Sequence, residues 1–315
     1  MPTMPPSAAE AGKEFRKLIE RATGAPLRTA VVHPVDRLSL TGAMDAREAG
    51  LIDPVLVGPG DKIRSAAEEA GLDLSGVEIV DTPHSHAAAA RGASLAREEA
   101  VGAIMKGALH TNELMQAIID RAAGLRTERR MSHVFVLETP AYPRLLLMTD
   151  GAINIAPDLM CKRDIVQNAI DLAHHIGIDA PLVAILSATE EVDPNIASTI
   201  DAAALCKMAD RGQIKGGVVD GPLAFDLAVS PEAVATKRLV SAVAGAADIL
   251  VVPTLEAGNM IAKQLDYLAG AEAAGLVVGA KVPVILTSRA DSAAERVVSC
   301  ALAKLHARPA EEGPV

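Results

Sequence analysis

A few short polar stretches carry the residue types that anion chemistry needs. Thr287-Ser288-Arg289 leaves an apolar run, Pro283–Leu286, just before a helical pattern that starts near Ser292. A hydroxyl and a guanidinium there would sit beside free backbone N–H groups and the positive end of a helix dipole, which favour anions. A capping segment with an exposed Arg is the plainer alternative. Arg126, Arg129 and Arg130 put three guanidiniums in five positions, leading into Met131-Ser132-His133. Arg grips phosphate through paired charge-assisted hydrogen bonds; a solvated charge run is the alternative. Asp220-Gly221-Pro222-Leu223, with Asp226, reads as a tight turn whose Asp can cap or position a ligand. Glu256-Ala257-Gly258-Asn259, with Lys263, offers small residues that let a backbone approach a ligand or partner closely. There Asn259 as a helix cap is the competing explanation.

Other chemistries find no support. There is no Walker A sequence, and Ile63 breaks the GxGxxG spacing after Gly58-Pro59-Gly60. No GxSxG nucleophile elbow occurs. Cys161, Cys206 and Cys300 are widely spaced and form no CxxC, so they read as reduced, mostly buried thiols. His174 and His175 are adjacent and point different ways on a helix, and His84 and His86 follow Pro83. No metal site is expected.

The polar stretches need elements to hold them. Apolar runs at Thr29–Val32, Pro54–Val57, Val77–Val80, Ala103–Met105, His133–Leu137, Leu145–Met148, Leu182–Leu186, Gly217–Val219, Ile249–Val252 and Pro283–Leu286 predict strands. Most are apolar at successive positions, as suits strands covered on both faces of a mostly parallel sheet. Between them, helical patterns cover Ser85–Arg97, Asp164–His175, Ile196–Ala209, Pro231–Ala244 and Ser292–His306. The βα alternation predicts an α/β, doubly wound architecture. His133–Leu137 and Leu145–Met148 are too close for a crossover helix and predict an antiparallel hairpin. So many strands exceed one open sheet. The expected organisation is therefore two α/β domains, 1–140 plus 280–315 and an inserted 141–279. Lys106-Gly107, Asp150-Gly151 and the stretches above all follow strands, where open α/β sheets bind ligands.

Composition narrows the partners. The chain has 315 residues, 40 acidic against 30 basic, for a formal charge of −10. A nucleic-acid face is not expected, because such faces need excess Lys and Arg. No apolar stretch reaches the roughly 18 residues of a membrane span. Met1-Pro2-Thr3-Met4-Pro5-Pro6 lacks the basic and apolar regions of a signal peptide, so a cytoplasmic, membrane-free protein is expected.

Taken in order, the motifs resemble those of the phosphate acetyltransferase and phosphate butyryltransferase family. The match runs from about Ala103 to Leu302. Its densest part is Gly216-Gly217-Val218-Val219-Asp220-Gly221-Pro222-Leu223-Ala224-Phe225-Asp226, followed by Ala247–Pro253, Glu256–Asn259 with Lys263, and Pro283–Arg289. Met105-Lys106-Gly107, Arg130-Met131-Ser132-His133 and Met148–Leu159 look closer to the butyryl branch. The resemblance implies a two-domain fold like isocitrate and isopropylmalate dehydrogenases, with doubly wound, mostly parallel sheets, and a homodimer or larger assembly. It implies the reaction acyl-CoA + phosphate ⇌ acyl phosphate + CoA, acetyl first and butyryl next. CoA is then a substrate, and neither cofactor nor metal is needed.

The resemblance also implies roles. Ser288 steadies the CoA thiol, Arg289 holds phosphate and stabilises charge on the reacting carbonyl, and Glu295 is the carboxylate base. Family members carry Asp at that position, and Asp291 is an acidic neighbour. Arg130 binds phosphate, and Ser132, Lys106, Asp220, Asn259 and Lys263 complete the substrate-binding set. A further family Arg would fall near Leu114-Met115-Gln116, where none stands. The residue types suit the reaction. A free thiol has a pKa of about 8.5, so a base is needed at neutral pH. Guanidiniums stay charged and can face both the oxyanion and the departing phosphate. A non-catalytic CoA- or phosphate-binding protein and a metal- and NAD-dependent dehydrogenase of the same fold are the alternatives.

Overall fold

The computed structural model describes residues 12–287 and 291–307. In chain order the elements begin with α1 (Lys13–Arg21), β1 (Leu27–Val32), α2 (Arg37–Glu48), β2 (Ile52–Gly58), α3 (Gly60–Ala70), β3 (Glu78–Asp81), α4 (Ser85–Arg97), β4 (Ala103–Lys106) and α5 (Thr111–Ile119). There follow β5 (Ser132–Glu138), β6 (Leu146–Thr149), α6 (Leu159–His175), β7 (Leu182–Leu186), α7 (Ala197–Asp210), β8 (Val218–Leu223), α8 (Phe225–Val229), α9 (Pro231–Lys237), β9 (Ile249–Val251) and α10 (Leu255–Ala269). The chain closes with β10 (Glu272–Val278), β11 (Val284–Ile285) and α11 (Ala293–His306).

These elements form two compact units, residues 1–129 with 274–315 and residues 130–273. The first unit orders its strands β3-β2-β1-β4-β11-β10. They run parallel except at β10, which meets β11 antiparallel through Leu276 opposite Ile285. The second unit orders them β5-β6-β9-β7-β8, parallel except for the hairpin β5–β6. The α/β, mostly parallel, doubly wound architecture read from the sequence is the one found.

The sequence explains why the elements form. The central strands are buried on both faces: β4 is buried at every position, and β1 from Thr29 onward. The helix α4, rich in Ala, lays Ala88, Ala89, Gly92 and Ala93 on β1 and β2 with little side-chain entropy to lose. Asp36, Asp158 and Ser292 cap α2, α6 and α11 by accepting from Ser39 N, Cys161 N and Glu295 N; each such cap is typically worth about 1 kcal/mol. The second unit packs around Leu137, Leu146, Met148, Leu186, Leu227 and Leu250.

Two elements differ from expectation. The helix expected over 231–244 ends at Lys237, where Arg238 turns left-handed at φ 54° and caps it. Ser241 is thereby released to bond Asp220. Strand β10 was not expected; it pairs with β11 through Leu276 opposite Ile285 and Val277 opposite Val284.

Candidate active site

In the first unit, β4 and β11 run side by side, and the residues that leave them meet. Lys106 is buried, and its Nζ donates to Thr287 O at 3.1 Å and to Gly107 O at 3.4 Å. Thr287 Oγ1 donates to Lys106 O at 3.3 Å, and Arg296 Nη1 from α11 donates to Thr287 Oγ1 at 2.9 Å. Lys106, Gly107, Thr287 and Arg296 line one small cleft with Asp36 and Ser39 of the α2 N-terminus. Buried ammonium and guanidinium groups thus flank the last described residue before Ser288. Ser288 and Arg289 themselves lie outside the described residues. Glu295 is the third residue of α11, where its Oε2 accepts from Ser292 N at 2.7 Å in a reciprocal capping box. Nothing in the spacing alone marked Arg296, because it sits within the apolar pattern of α11.

In the second unit, helix α6 grips the segment that enters β5. Asp164 Oδ2 accepts from Arg130 N at 3.0 Å, and Asn168 Nδ2 donates to Arg130 O at 2.8 Å and to Ser132 Oγ at 2.9 Å. Asn154 Nδ2 takes Met131 O at 2.9 Å. The backbone of Arg130 is therefore held at both its N–H and its carbonyl while its side chain stays exposed. Ser132 is buried. The Arg run is divided between units: Arg126 and Arg129 belong to the first and Arg130 to the second. Asp164 and Asn168 were missed, although two polar residues four apart within a buried helical run are a readable signal of a buried polar task.

Beside this segment, Asp150 folds its carboxylate back onto Ala152 N, Ile153 N and Asn154 N, each at 3.0 Å. His133 is buried, its Nδ1 has no hydrogen-bond partner, and its ring meets Phe135 edge-on at 4.3 Å. Burial drives its pKa down to about 4, against the pull of Asp150. The unfolded chain, near 6.5, therefore binds the proton more readily across that window, so stability falls as pH drops from about 6.5 to 4. The expected loss is roughly 3 kcal/mol at full protonation. Urea midpoints of wild type and His133→Gln between pH 4 and 7 check it: the variant should show the shallower decline, and parallel curves would refute the assignment.

The α10 motif turns out differently from its simplest expectation. The cap is Thr254, whose side chain accepts from Ala257 N, so Asn259 is left for another task. The small residues serve a close approach within the unit: a Cβ on Gly258 would lie 2.9 Å from Gly151 Cα. Asn259 Nδ2 lies 3.5 Å from Gly151 O, and exposed Lys263 follows one turn later. Asp220 is engaged locally, accepting from Gly221 N at 2.8 Å and from Ser241 Oγ. The second unit therefore brings Arg130 and Ser132 together around Asn168, and Asn259 against Gly151. Among the described residues, no group of three or more His, Cys, Asp or Glu is placed to hold a metal ion. No helix among them is long and apolar enough to cross a membrane.

A family described as "Phosphate acetyl/butaryl transferase" matches residues 85–304. The chain is 58% identical over 299 residues to a phosphate acetyltransferase of Rhizobium meliloti, covering 95% of each chain. This chain belongs to the phosphate acetyl/butyryltransferase family. It is also 43% identical over 294 residues to the phosphate butyryltransferase of Clostridium acetobutylicum, covering 93% of this chain and 98% of that one. Among solved structures it resembles a branched-chain phosphotransacylase from Enterococcus faecalis V583, with TM-score 0.79, 30% identity, and coverage of 89% and 99%. The relatives are acyltransferases by name.

Proposed function

We propose that this chain reversibly transfers a short acyl group between CoA and inorganic phosphate, acyl-CoA + phosphate ⇌ acyl phosphate + CoA. The observation that carries this is the 58% identity to a phosphate acetyltransferase across nearly the whole of both chains. The higher identity to an acetyl than to a butyryl enzyme favours acetyl as the preferred group. Ser288 steadies the thiol, Glu295 takes its proton, Arg289 faces the oxyanion and phosphate, and Arg130 holds phosphate. Lys106 supports this set through its bond to Thr287 O. Ser132, Asp220, Asn259 and Lys263 shape the rest of the substrate site. The local cations matter because the chain carries a net charge of −10 and both reactants are anions. CoA enters and leaves as a substrate, and the residues ask for no further cofactor.

The active form is a homodimer or larger assembly in the cytoplasm, built through the second unit. Helix α10 supports this: it buries only Gly258 and Ala262 and exposes Met260, Tyr267 and Leu268. Thiol release from acetyl-, propionyl- and butyryl-CoA, with and without phosphate, tests the function. Phosphate-dependent release, fastest with acetyl-CoA, is expected. CoA binding without any release would leave a binding protein, and activity abolished by chelator would favour a metal-dependent dehydrogenase.

A further inference from the structure

The acyl-transfer reading leaves unexplained why a guanidinium is buried in α11. Arg296 is buried, and burial works against its charge while Asp291, Asp36 and Glu295 pull the other way. Its Nη1 donates to Thr287 Oγ1 at 2.9 Å. Thr287 in turn shares two bonds with Lys106, through its hydroxyl and its carbonyl. The strand pair adds the parallel register of Ile285 with Met105. Together these bonds hold the last residue before Ser288 to the β4 exit on one side and to α11 on the other. The guanidinium also leaves Arg296 one residue after Glu295, on the helix that carries the candidate base.

The room for this side chain comes from α2. A Cβ on Gly42 would lie 2.7 Å from Arg296 Cδ and 3.3 Å from its Cβ. Only a residue without a side chain at 42 lets the Arg stem lie flat between α2 and α11. A hydrophobic side chain at 296 would fill such a helix-packed position without the desolvation that a buried charge suffers. The charge is kept where it contacts the single hydroxyl that precedes Ser288.

We propose that Arg296 is a positioning residue for acyl transfer. It acts through the Thr287 hydroxyl, fixing the residue that immediately precedes Ser288 and Arg289 in the chain. Gly42 is the vacancy that makes this possible. This rests on the proposed acyltransferase function. Arg296 has no direct contact with the reactants in this account; it aligns the groups that do.

Three lesions of one link test it. Arg296→Met keeps the stem and removes the donors. Thr287→Val keeps the shape and removes the acceptor. Gly42→Ala displaces the stem and touches no polar atom. Each should lower kcat for phosphate-dependent CoA release, by up to on the order of 10²-fold as misaligned reacting groups do, with the KM values for acetyl-CoA and phosphate little changed. Arg296→Lys should regain part of the loss. The double variant Arg296→Met with Thr287→Val should be no slower than the worse single, because one link cannot be cut twice. Rates are taken per folded molecule, with thermal midpoints measured alongside, so a purely structural role would leave kcat unmoved.

Wild-type kcat in folded Arg296→Met, or losses that multiply in the double variant, would overturn the proposal. If Arg296→Met fails to fold, Thr287→Val and Gly42→Ala decide it by the same criterion. Wild-type protein without phosphate-dependent CoA release overturns the functional reading itself, and that result appears before any variant is assayed.

Discussion

Glu295→Gln is expected to abolish most acyl transfer while leaving the fold as stable as before. The side-chain carbonyl of Gln can still accept from Ser292 N, as Glu295 Oε2 does at 2.7 Å, so the capping box persists. It cannot take a proton from sulfur. Losing a positioned general base costs about 10²–10⁴ in rate, so kcat should fall by that factor while the thermal midpoint stays. Glu295→Ala should lose the same activity and also the cap bond, a further cost of about 1 kcal/mol in stability. Asp291→Asn, run in parallel, should keep most of its activity. Full activity in Glu295→Gln with a dead Asp291→Asn would transfer the base role to Asp291.

Arg289→Ala is the second large effect. Phosphate-dependent release of CoA from acetyl-CoA or butyryl-CoA should fall by about 10²–10³, the usual cost of losing one donor aimed at a developing oxyanion. Arg289→Lys should recover little, because an ammonium is a point charge and cannot make the paired bonds of a guanidinium. Near-normal turnover in Arg289→Ala would remove this residue from the chemistry.

Much of the fold was legible because buried parallel strands announce themselves as unbroken Val, Ile and Leu runs. Leu182–Leu186 is found with the bounds read from the sequence, and so is helix Ser85–Arg97. Local signals fail where a neighbour decides. Residues 239–244 carry helical spacing, yet Arg238 breaks the helix and Ser241 bonds Asp220 instead. Strand β10 was not read from the sequence at all, and its Leu276 and Val277 pair across the sheet with β11.

The candidate site divides along the same line. Residues named from motifs, such as Lys106, Arg130 and Ser132, occur where short ordered stretches follow or enter strands. Their supports show which residue they serve only in three dimensions. Asp164 and Asn168 act across 34 and 38 residues of sequence on Arg130, and Arg296 reaches back to Thr287 from within an apolar helix pattern. A cap such as Thr254 was likewise masked by the more conspicuous Asn259 beside it. Sequence motifs mark the candidate residues; the groups that hold them in place are found by distance.

The first unit is assembled from residues 1–129 and 274–315, and β11 is inserted between β4 and β10 rather than added at an edge. A ribosome making this chain therefore presents β1 to β4 long before their missing neighbour exists. Domains that are continuous in sequence can mature on the nascent chain from the amino end onward; this one must wait, with one flank of β4 open, until the whole second unit has been made. Products that stop short of β11 lack the strand that delivers Thr287, and with it the candidate residues Ser288, Arg289 and Glu295.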